Sequence, residues 1–274
     1  MNKALKLILH SLLAFTFVAA ATATETTNDK LAQVIAGKHR TPAYAARDIY
    51  RHPLETLKFF GIKDDMTVVE ISPGGGWYSE ILAPYLKDNG TYVAAGYDPD
   101  SKSKYFSRNA KKYADKLKNN PELYSKTVLS VMQPPEKLNF IEDNSADMIL
   151  SFRNTHNWRN SGHAPAVYQA IFKALKPGGV FGLVQHRAGE NHPKDTSGKM
   201  GYLRQSDVIA LAKSAGFELA AQTEINANPN DTHDYEMGVW TLPPSFRLKD
   251  KDREKYQAIG ESDRMTLKFV KPAK

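Results

Sequence analysis

A glycine-rich stretch in the first third of the chain constrains the possible fold more than any other feature. Residues 67–71, Thr-Val-Val-Glu-Ile, have the composition of a short buried strand. A tight turn follows, made of Ser72, Pro73, Gly74, Gly75 and Gly76. Glycines permit positive φ and let a ligand approach the backbone, because no Cβ intrudes. A helix that opens near Trp77 would point free N–H groups at this turn. The stretch therefore predicts a nucleotide-sized site at the carboxyl end of a strand.

The position of the acid in this stretch distinguishes between two classes of nucleotide-binding fold. Dinucleotide-binding domains place their ribose acid about twenty residues after the glycines, whereas Glu70 lies before the turn, inside the strand. Read as Glu-x-Ser-x-Gly-x-Gly, the stretch resembles motif I of the class I S-adenosylmethionine-dependent methyltransferases, commonly Asp/Glu-x-Gly-x-Gly-x-Gly. Ser72 replaces the first glycine of that motif. An oxidoreductase stays open as an alternative, because Gly74-x-Gly76-x-x-Ser79 almost completes the dinucleotide pattern.

Later segments add to this resemblance, in the order expected of that superfamily. Residues 140–150 resemble the Pro-Phe-x-Asp-x-Ser-Phe-Asp-x-Val stretch of small-molecule methyltransferases such as the quinone-biosynthesis group. The Leu-Lys-Pro-Gly-Gly of residues 175–179 and the Ala-Gly-Phe of residues 215–217 are also typical of it. Residues 239–244 and 259–266 are similar to a group of predicted, exported bacterial methyltransferases. The resemblance covers the chain from about Glu55 to Pro272.

The resemblance implies a Rossmann-like α/β methyltransferase fold. Such a fold has a seven-stranded, mostly parallel sheet with an antiparallel last strand and helices on both faces, here with an N-terminal helical lid. The residue patterns predict strands at 67–71, 91–96, 128–132, the end of 140–150, 180–185, 238–242 and 265–270. They predict helices at 30–38, 43–50, 54–60, 78–86, 102–117, 164–175 and 208–215. Residues 151–158 are predicted to form a loop beyond the fourth strand.

The first residues of the chain have the pattern of a secretory signal peptide. Lys3 and Lys6 precede a mostly apolar run over residues 7–20, and small residues suited to cleavage end at Ala23. We therefore predict a signal peptide over residues 1–23, a linker and lid over 24–53, and the methyltransferase-like domain over 54–274. The protein is then expected in the periplasm, without stable membrane insertion after cleavage. An uncleaved anchor is the alternative.

Composition excludes several kinds of site. The 274 residues include no cysteine, so disulfides, thiolate metal sites and thiol catalysis are excluded. The net charge of +7 is spread along the chain, and no nucleic-acid partner is expected. The spacing of His186, His192 and Asp195 matches no metal-ligand pattern, so no metal is expected. The sequence does not define the oligomeric state.

The resemblance also implies how S-adenosylmethionine would be bound. Glu70 and the backbone from Ser72 to Gly76 would hold the amino-acid and ribose portions. Asp98, which follows the second predicted strand, would accept hydrogen bonds from the ribose hydroxyls. Met132 and Gln133, after the third strand, would flank the adenine.

The resemblance places an unidentified small-molecule or cell-envelope acceptor beyond the fourth strand. There His156 is a candidate base because imidazole titrates near neutrality. Asn157 or Asn154 would orient the acceptor, and Trp158 would stack on it. Arg153 is a further catalytic candidate in the same segment. Further candidates are His186 and Arg187 after the fifth strand, and a lid cluster of Arg47, Asp48, Arg51 and His52.

A second functional class stays open from the sequence. Because fold does not fix function, and because Ser72 departs from the motif, a non-catalytic ligand-binding or interaction protein on the same fold is the alternative.

Overall fold

The strands of the molecule form one mixed sheet. A computed structural model describes residues 29–191 and 197–273, so the predicted signal peptide, His192 and Asp195 lie outside the described residues. In chain order the strands are β1 Thr67–Ile71, β2 Thr91–Gly96, β3 Val128–Val131, β4 Ala146–Phe152, β5 Leu175–Ala188, β6 Leu203–Arg204, β7 Glu218–Thr223 and β8 Arg264–Val270. The bounds predicted for the first two strands are confirmed.

The order of the strands places the switch point of the sheet beside β1. The main sheet has seven strands in the order β3-β2-β1-β4-β5-β8-β7, and the two-residue β6 pairs with β5. β1 pairs in parallel with both β2 and β4, whereas β8 is antiparallel to β5 and β7. The predicted parallel sheet with an antiparallel last strand is confirmed. The strand order reverses between β1 and β4, and a crevice therefore opens at the carboxyl ends of these two strands.

Helices cover both faces of this sheet. They are α1 over residues 29–35, α2 Pro42–Ala45, α3 Asp48–Arg51, α4 Pro53–Phe60, α5 Ser79–Leu86, α6 Lys104–Lys118, α7 Pro121–Tyr124, α8 Thr155–Asn160, α9 Ala164–Ala174, α10 Gln205–Ser214 and α11 Arg253–Ile259. No helix in the described part of the chain is long and apolar enough to cross a membrane.

The core consists of two apolar layers, one on each face of the sheet. Val68 packs in the layer that contains α4 and α5, and its neighbour Val69 packs in the layer that contains α9 and α10. Both side chains are fully buried, because successive residues of a strand point to opposite faces. A strand covered on both sides favours apolar residues on both faces, and β1 accordingly has Val68, Val69 and Ile71 rather than alternation, with Glu70 as its one buried acid.

The structure differs from two of the predicted elements. Residues 238–242 do not form a strand; Gly238–Thr241 is a 3-10 helix. The β-branched and aromatic residues there favour a strand, but Gly238 adopts φ +57°, which turns the backbone, and Val239 hydrogen-bonds to Met200. Residues 151–158 are not a loop throughout. Their first two residues end β4, and α8 begins at Thr155, which brings Trp158 into the core.

The predicted fifth strand, residues 180–185, lies within a longer element. β5 starts at Leu175 and its pairing with β4 shifts register at the start, where Gly178 adopts φ +79°. The two-residue β6 has no counterpart in the prediction, since so short a segment carries no periodic pattern.

We call residues 29–51 the lid: Tyr44 of α2 contacts the glycine-rich turn, whereas Lys30 of α1 pairs with Asp64 before β1. Glu80 on α5 holds the lid in place: Thr41 donates to its carboxylate from the backbone N–H at 2.8 Å and from Oγ1 at 2.6 Å. Lys116 on α6 binds the same carboxylate at 2.8 Å. Tyr44 donates its hydroxyl to the carbonyl of Gly75 at 3.0 Å. The lid is thus fixed directly to the glycine-rich turn beside it.

We expect Glu80→Ala to lower the free energy of unfolding by about 3–5 kcal/mol, because it leaves buried cationic and polar partners without their carboxylate. Hydrogen exchange should also become faster around Thr41. Urea unfolding and hydrogen–deuterium exchange measure the two effects. Glu122→Ala, at an exposed glutamate of α7, is the control. Equal losses in the two variants would contradict the anchoring role of Glu80.

Candidate functional site

A cavity of about 520 Å³ lies at the carboxyl edge of the sheet, and we call it the main cavity. Its floor is the turn after β1, from Ser72 to Gly75, and the lid contributes Tyr44, Arg47 and Arg51 to one wall. The other walls come from the segment after β4, the end of β5 and two C-terminal segments, and they include Arg153, His156, Asn157, His186, Trp240 and Arg264. The site therefore draws on both ends of the described chain.

A second cavity of about 380 Å³ adjoins the main cavity toward β2 and β3. Ser72, Asn154 and Asn157 line both cavities. Met132 and Gln133, the predicted adenine neighbours, line the second cavity, and Trp158 lies in its wall. The two cavities together form one space that runs from the ends of β2 and β3 to the ends of β4 and β5.

The turn itself requires backbone conformations that most residues avoid. Ser72 adopts φ +52°, Gly74 φ +61° and Gly76 φ +82°. Ser72 is therefore left-handed where the family motif has glycine, at a cost of about 1–2 kcal/mol for a residue with a Cβ. A Cβ on Gly74 would meet nothing within 4 Å, so the backbone there is open to a ligand. A Cβ on Gly75 would meet the Tyr44 hydroxyl at 2.6 Å.

Glu70 is buried at the foot of this turn, with 3% of its surface exposed. Its Oε2 atom accepts hydrogen bonds from the hydroxyls of Tyr92 at 2.5 Å and Ser79 at 3.2 Å. Burial raises the pKa of Glu70 to about 7, although the two hydroxyls partly oppose this shift. Oε1 has no hydrogen bond within the described residues and Glu70 lines the main cavity, so one carboxyl oxygen is left for a ligand.

The structure does not bring Asp98 to either cavity. Its carboxylate forms an ion pair with Lys137 at 2.7 Å and accepts a hydrogen bond from the N–H of Asp100. The hydrogen bond from Lys137 lowers the pKa of Asp98. Tyr97, the preceding residue, lines both cavities instead. The local pattern identified Asp98 as the acid after the second strand but did not give the direction of its side chain, because the side chains of neighbouring residues point to opposite sides.

The segment after β4 holds the three predicted catalytic residues, and all three line the main cavity. Arg153 adopts φ +64°, unusual for a long side chain, and its N–H donates to the carbonyl of Val184 on β5. Asn154 donates its side-chain amide to the carbonyl of Ile71 at 3.1 Å, which ties the ends of β1 and β4 together. Asn157 is exposed on α8.

His156 is a buried imidazole, with 5% of its surface exposed. Burial lowers its pKa to about 4, although a hydrogen bond with Gln185 opposes this shift. Its Nδ1 lies 3.4 Å from Oε1 of Gln185, and its ring packs edge-on against Trp240. The imidazole is therefore neutral near pH 7, and it can accept a proton at Nε2 when Nδ1 carries hydrogen and donates to Gln185.

The two candidates predicted to follow the fifth strand lie within β5; His186 lines the main cavity and Arg187 does not. His186 Nδ1 lies 2.6 Å from the hydroxyl of Ser262. Arg187 binds Asp263 and Glu224 in ion pairs away from the cavity. Within the described residues, no group of three or more His, Cys, Asp or Glu side chains could hold a metal ion.

Several cavity residues had no signal in the sequence. Tyr78, Trp240, Glu261 and Arg264 line the main cavity but belong to no motif with a known spacing. Trp240 and Glu261 lie in the two late segments that resemble exported methyltransferases, and that likeness alone gave no role for either residue.

Comparison with known families and structures agrees with this geometry. Residues 69–183 match a family model described as a methyltransferase domain. Among solved structures, an S-adenosylmethionine-dependent methyltransferase from Aquifex aeolicus is similar in fold, with a TM-score of 0.55 and 16% identity. That match covers 89% of this chain and 98% of that chain.

Two curated relatives are sterol 24-C-methyltransferases from Gibberella zeae and Aspergillus fumigatus. The chain is 26% identical to the first over 207 residues, which are 69% of this chain and 48% of the relative. It is 26% identical to the second over 206 residues, which are 69% of this chain and 49% of the relative. The chain thus spans about half the length of these relatives.

The raised pKa of Glu70 predicts a stability that depends on pH. Between its ordinary value of 4.5 and about 7, the folded protein keeps a proton on Glu70 that the unfolded chain has released. The contribution of protonated Glu70 to the free energy of unfolding is therefore full below pH 4.5 and is lost as the pH rises through 7. From pH 4.5 to 8, we expect the free energy of unfolding to fall by on the order of 3 kcal/mol more in wild type than in Glu70→Gln.

Urea unfolding at several pH values measures this difference. Glu122→Gln, at the exposed glutamate of α7, is the control and should follow the wild-type pH profile. If Glu70→Gln also follows that profile, Glu70 is not protonated near neutral pH.

Proposed function

Because the chain carries a class I S-adenosylmethionine-dependent methyltransferase domain, we propose that it transfers a methyl group from this cofactor to a small molecule held in the main cavity. The observation that carries the proposal is the open backbone at Gly74 on the floor of the main cavity, beside the switch point between β1 and β4 and next to Ser72, which lines both cavities. Open α/β sheets bind their ligands at such a point.

The residues of the two cavities fit the cofactor. The second cavity, with Met132 and Gln133 in its wall, is the place for the adenine ring. The backbone at Gly74 and the free oxygen of Glu70 would hold the amino-acid portion. When bound, S-adenosylmethionine supplies a methyl group already activated by its sulfonium. The protein therefore contributes chiefly by alignment and by exclusion of water.

The side of the main cavity over β4 and β5 is left for the acceptor. Asn157 is exposed there and able to donate or accept a hydrogen bond, so it would orient the acceptor. His156 is neutral near pH 7 and its lowered pKa makes it a weak base, so its ring would accept a hydrogen bond from a protic acceptor. The lid, fixed by Glu80, packs beside the glycine-rich turn and forms one wall of the main cavity.

We also propose that the protein works in the periplasm. The support is the pattern of residues 1–23, with Lys3 and Lys6 before an apolar run and small residues at its end. An exported methyltransferase would need a supply of cofactor outside the cytoplasm. A fusion of the full chain to alkaline phosphatase, which is active only after export, should be active in a Gram-negative host. Phosphatase activity that persists when residues 2–23 are removed would contradict the predicted signal peptide.

Cofactor binding is tested first, by calorimetric titration of the full chain with S-adenosylhomocysteine and S-adenosylmethionine. We expect Gly74→Val to lose binding, because the added side chain lies in the open space over the turn. The matched control is Gly178→Val. Gly178 also has positive φ, +79°, and a Cβ added there would also meet nothing within 4 Å, but it lies at the start of β5 at the other edge of the sheet.

Both valine variants carry similar backbone strain, so equal losses of stability are expected in urea. Loss of binding in the Gly74 variant alone would support the site. Loss of binding in both variants, or in neither, would contradict it. Methyl transfer from labelled cofactor to a mixture of small acceptors then separates an enzyme from a protein that only binds the cofactor.

A further inference from the structure

Five arginines line the main cavity: Arg247 stacks on the ring of Trp240, and we call the other four, Arg47, Arg51, Arg153 and Arg264, the arginine cluster. They come from distant parts of the chain: two from the lid, one from the segment after β4 and one from the start of β8. Arg51, Arg153 and Arg264 also line a small recess together, which places them side by side. Arg51 and Arg264 are buried, with 4% and 3% of their surfaces exposed.

The carboxylates of the cavity do not balance this charge. Among the described residues that line it, Glu70 and Glu261 are the acids. Glu261 accepts from Arg47 at 2.5 Å, from Arg51 at 3.4 Å and also from Arg264. Glu70 has a pKa of about 7 and is half protonated at neutral pH. The four arginines of the cluster, with Arg247 as a fifth cation in the cavity wall, therefore face one full negative charge and part of another.

Several donors of the cluster lack a partner in the described part of the chain. Nη2 of Arg47 and Nε of Arg264 are buried without a hydrogen bond. The Arg153 guanidinium also makes no hydrogen bond or ion pair within residues 29–191 and 197–273. Burial and the neighbouring Arg264 lower the pKa of Arg153 to about 10. A buried cation without a partner is costly, and an oxyanion would satisfy both its charge and its N–H groups.

Two members of the cluster, Arg153 and Arg264, lie on the acceptor side of the site, whereas Arg51 stacks on Trp77 after the glycine-rich turn. In the sheet order β3-β2-β1-β4-β5-β8-β7, the second cavity lies toward β2 and β3, whereas Arg153 follows β4. Arg264 starts β8 opposite His186 of β5. The amino-acid portion of S-adenosylmethionine carries one carboxylate together with its own ammonium group, so it does not neutralise four guanidinium groups.

We infer that the acceptor is a small molecule with a carboxylate or phosphate group, which the arginine cluster binds and uses to orient it beside His156 and Asn157. This inference rests on the proposed methyl transfer and names its substrate class. Guanidinium groups match both oxyanions, because their planar N–H forks pair with two oxygens at once. A sterol, the acceptor in the names of the two curated relatives, carries no such group.

The test is calorimetric titration of the full chain, loaded with S-adenosylhomocysteine, with inorganic phosphate and separately with benzoate. We expect one of the two anions to bind, and the anion that binds identifies phosphate or carboxylate as the group recognised. Arg153→Gln should weaken that binding by about tenfold or more, as expected for loss of a charge-assisted hydrogen-bonded pair. Arg108→Gln, at an exposed arginine of α6, is the control and should bind as wild type.

A second variant guards against a folding defect in Arg153→Gln. Arg47 lies in the lid and its side chain is 20% exposed, so its loss disturbs the fold less. Arg47→Gln should also weaken anion binding. The inference is overturned if neither anion binds the loaded wild-type protein, or if both variants bind anions normally.

Titration with S-adenosylhomocysteine and 5′-methylthioadenosine separates the acceptor from the cofactor. The second ligand lacks the carboxylate of the first. If the arginine cluster binds the acceptor, Arg153→Gln keeps its affinity for both ligands. A loss for S-adenosylhomocysteine alone would assign the cluster to the cofactor and overturn the inference. If wild type binds anions but neither nucleoside, the methyltransferase proposal fails by itself and the anion site loses its role as an acceptor site.

Discussion

The carboxylate of Glu261 joins the two ends of the described chain around the main cavity. It binds Arg47 and Arg51 of the lid and Arg264 of β8. Burial by itself would raise the pKa of Glu261, but the three guanidinium groups, Arg264 foremost, hold it well below its usual range. The lid is thereby attached at two places, to β8 through Glu261 and to α5 through Glu80. The shape of the cavity depends on both contacts, since the lid forms one of its walls.

The two acids of the main cavity are in opposite states because their partners differ. Glu70 is surrounded by hydroxyl groups, which donate hydrogen bonds but carry no charge, so burial dominates and its pKa is about 7. Glu261 has cationic partners and stays ionised. Arginines outnumber acids around the cavity, and Arg153 and Arg264 carry this excess of positive charge toward β4 and β8. The excess agrees with an anionic acceptor on that side.

The strained backbone of the site lies where the strands end. Ser72 after β1 and Arg153 after β4 both have positive φ, and β1 and β4 are neighbours in the sheet. Hydrogen bonds of the surrounding strands hold these conformations: Ser72 donates to Ala95 and Arg153 donates to Val184. Such strain is maintained when the fold around it is rigid, and it places both residues at the floor of the cavity instead of in the regular sheet.

The sheet and the place of the site follow from local sequence. The mostly apolar run of residues 67–71 and the glycines after it specified β1 and its turn, because a strand buried on both faces favours apolar residues and the turn needs positive φ. Local sequence also put Arg153, His156 and Asn157 together, since they follow one strand. A window of a few residues contains the signal for each of these features.

The chemistry of the site, in contrast, depends on tertiary contacts. The direction of Asp98, the 3-10 helix at Gly238–Thr241 and the meeting of the arginine cluster around Glu261 depend on contacts between residues far apart in sequence. The pKa values of Glu70 and His156 likewise depend on burial and on partners supplied by other strands. A local pattern identifies which residues end a strand. The charge around the cavity and the burial of its side chains, however, depend on every segment that packs against it.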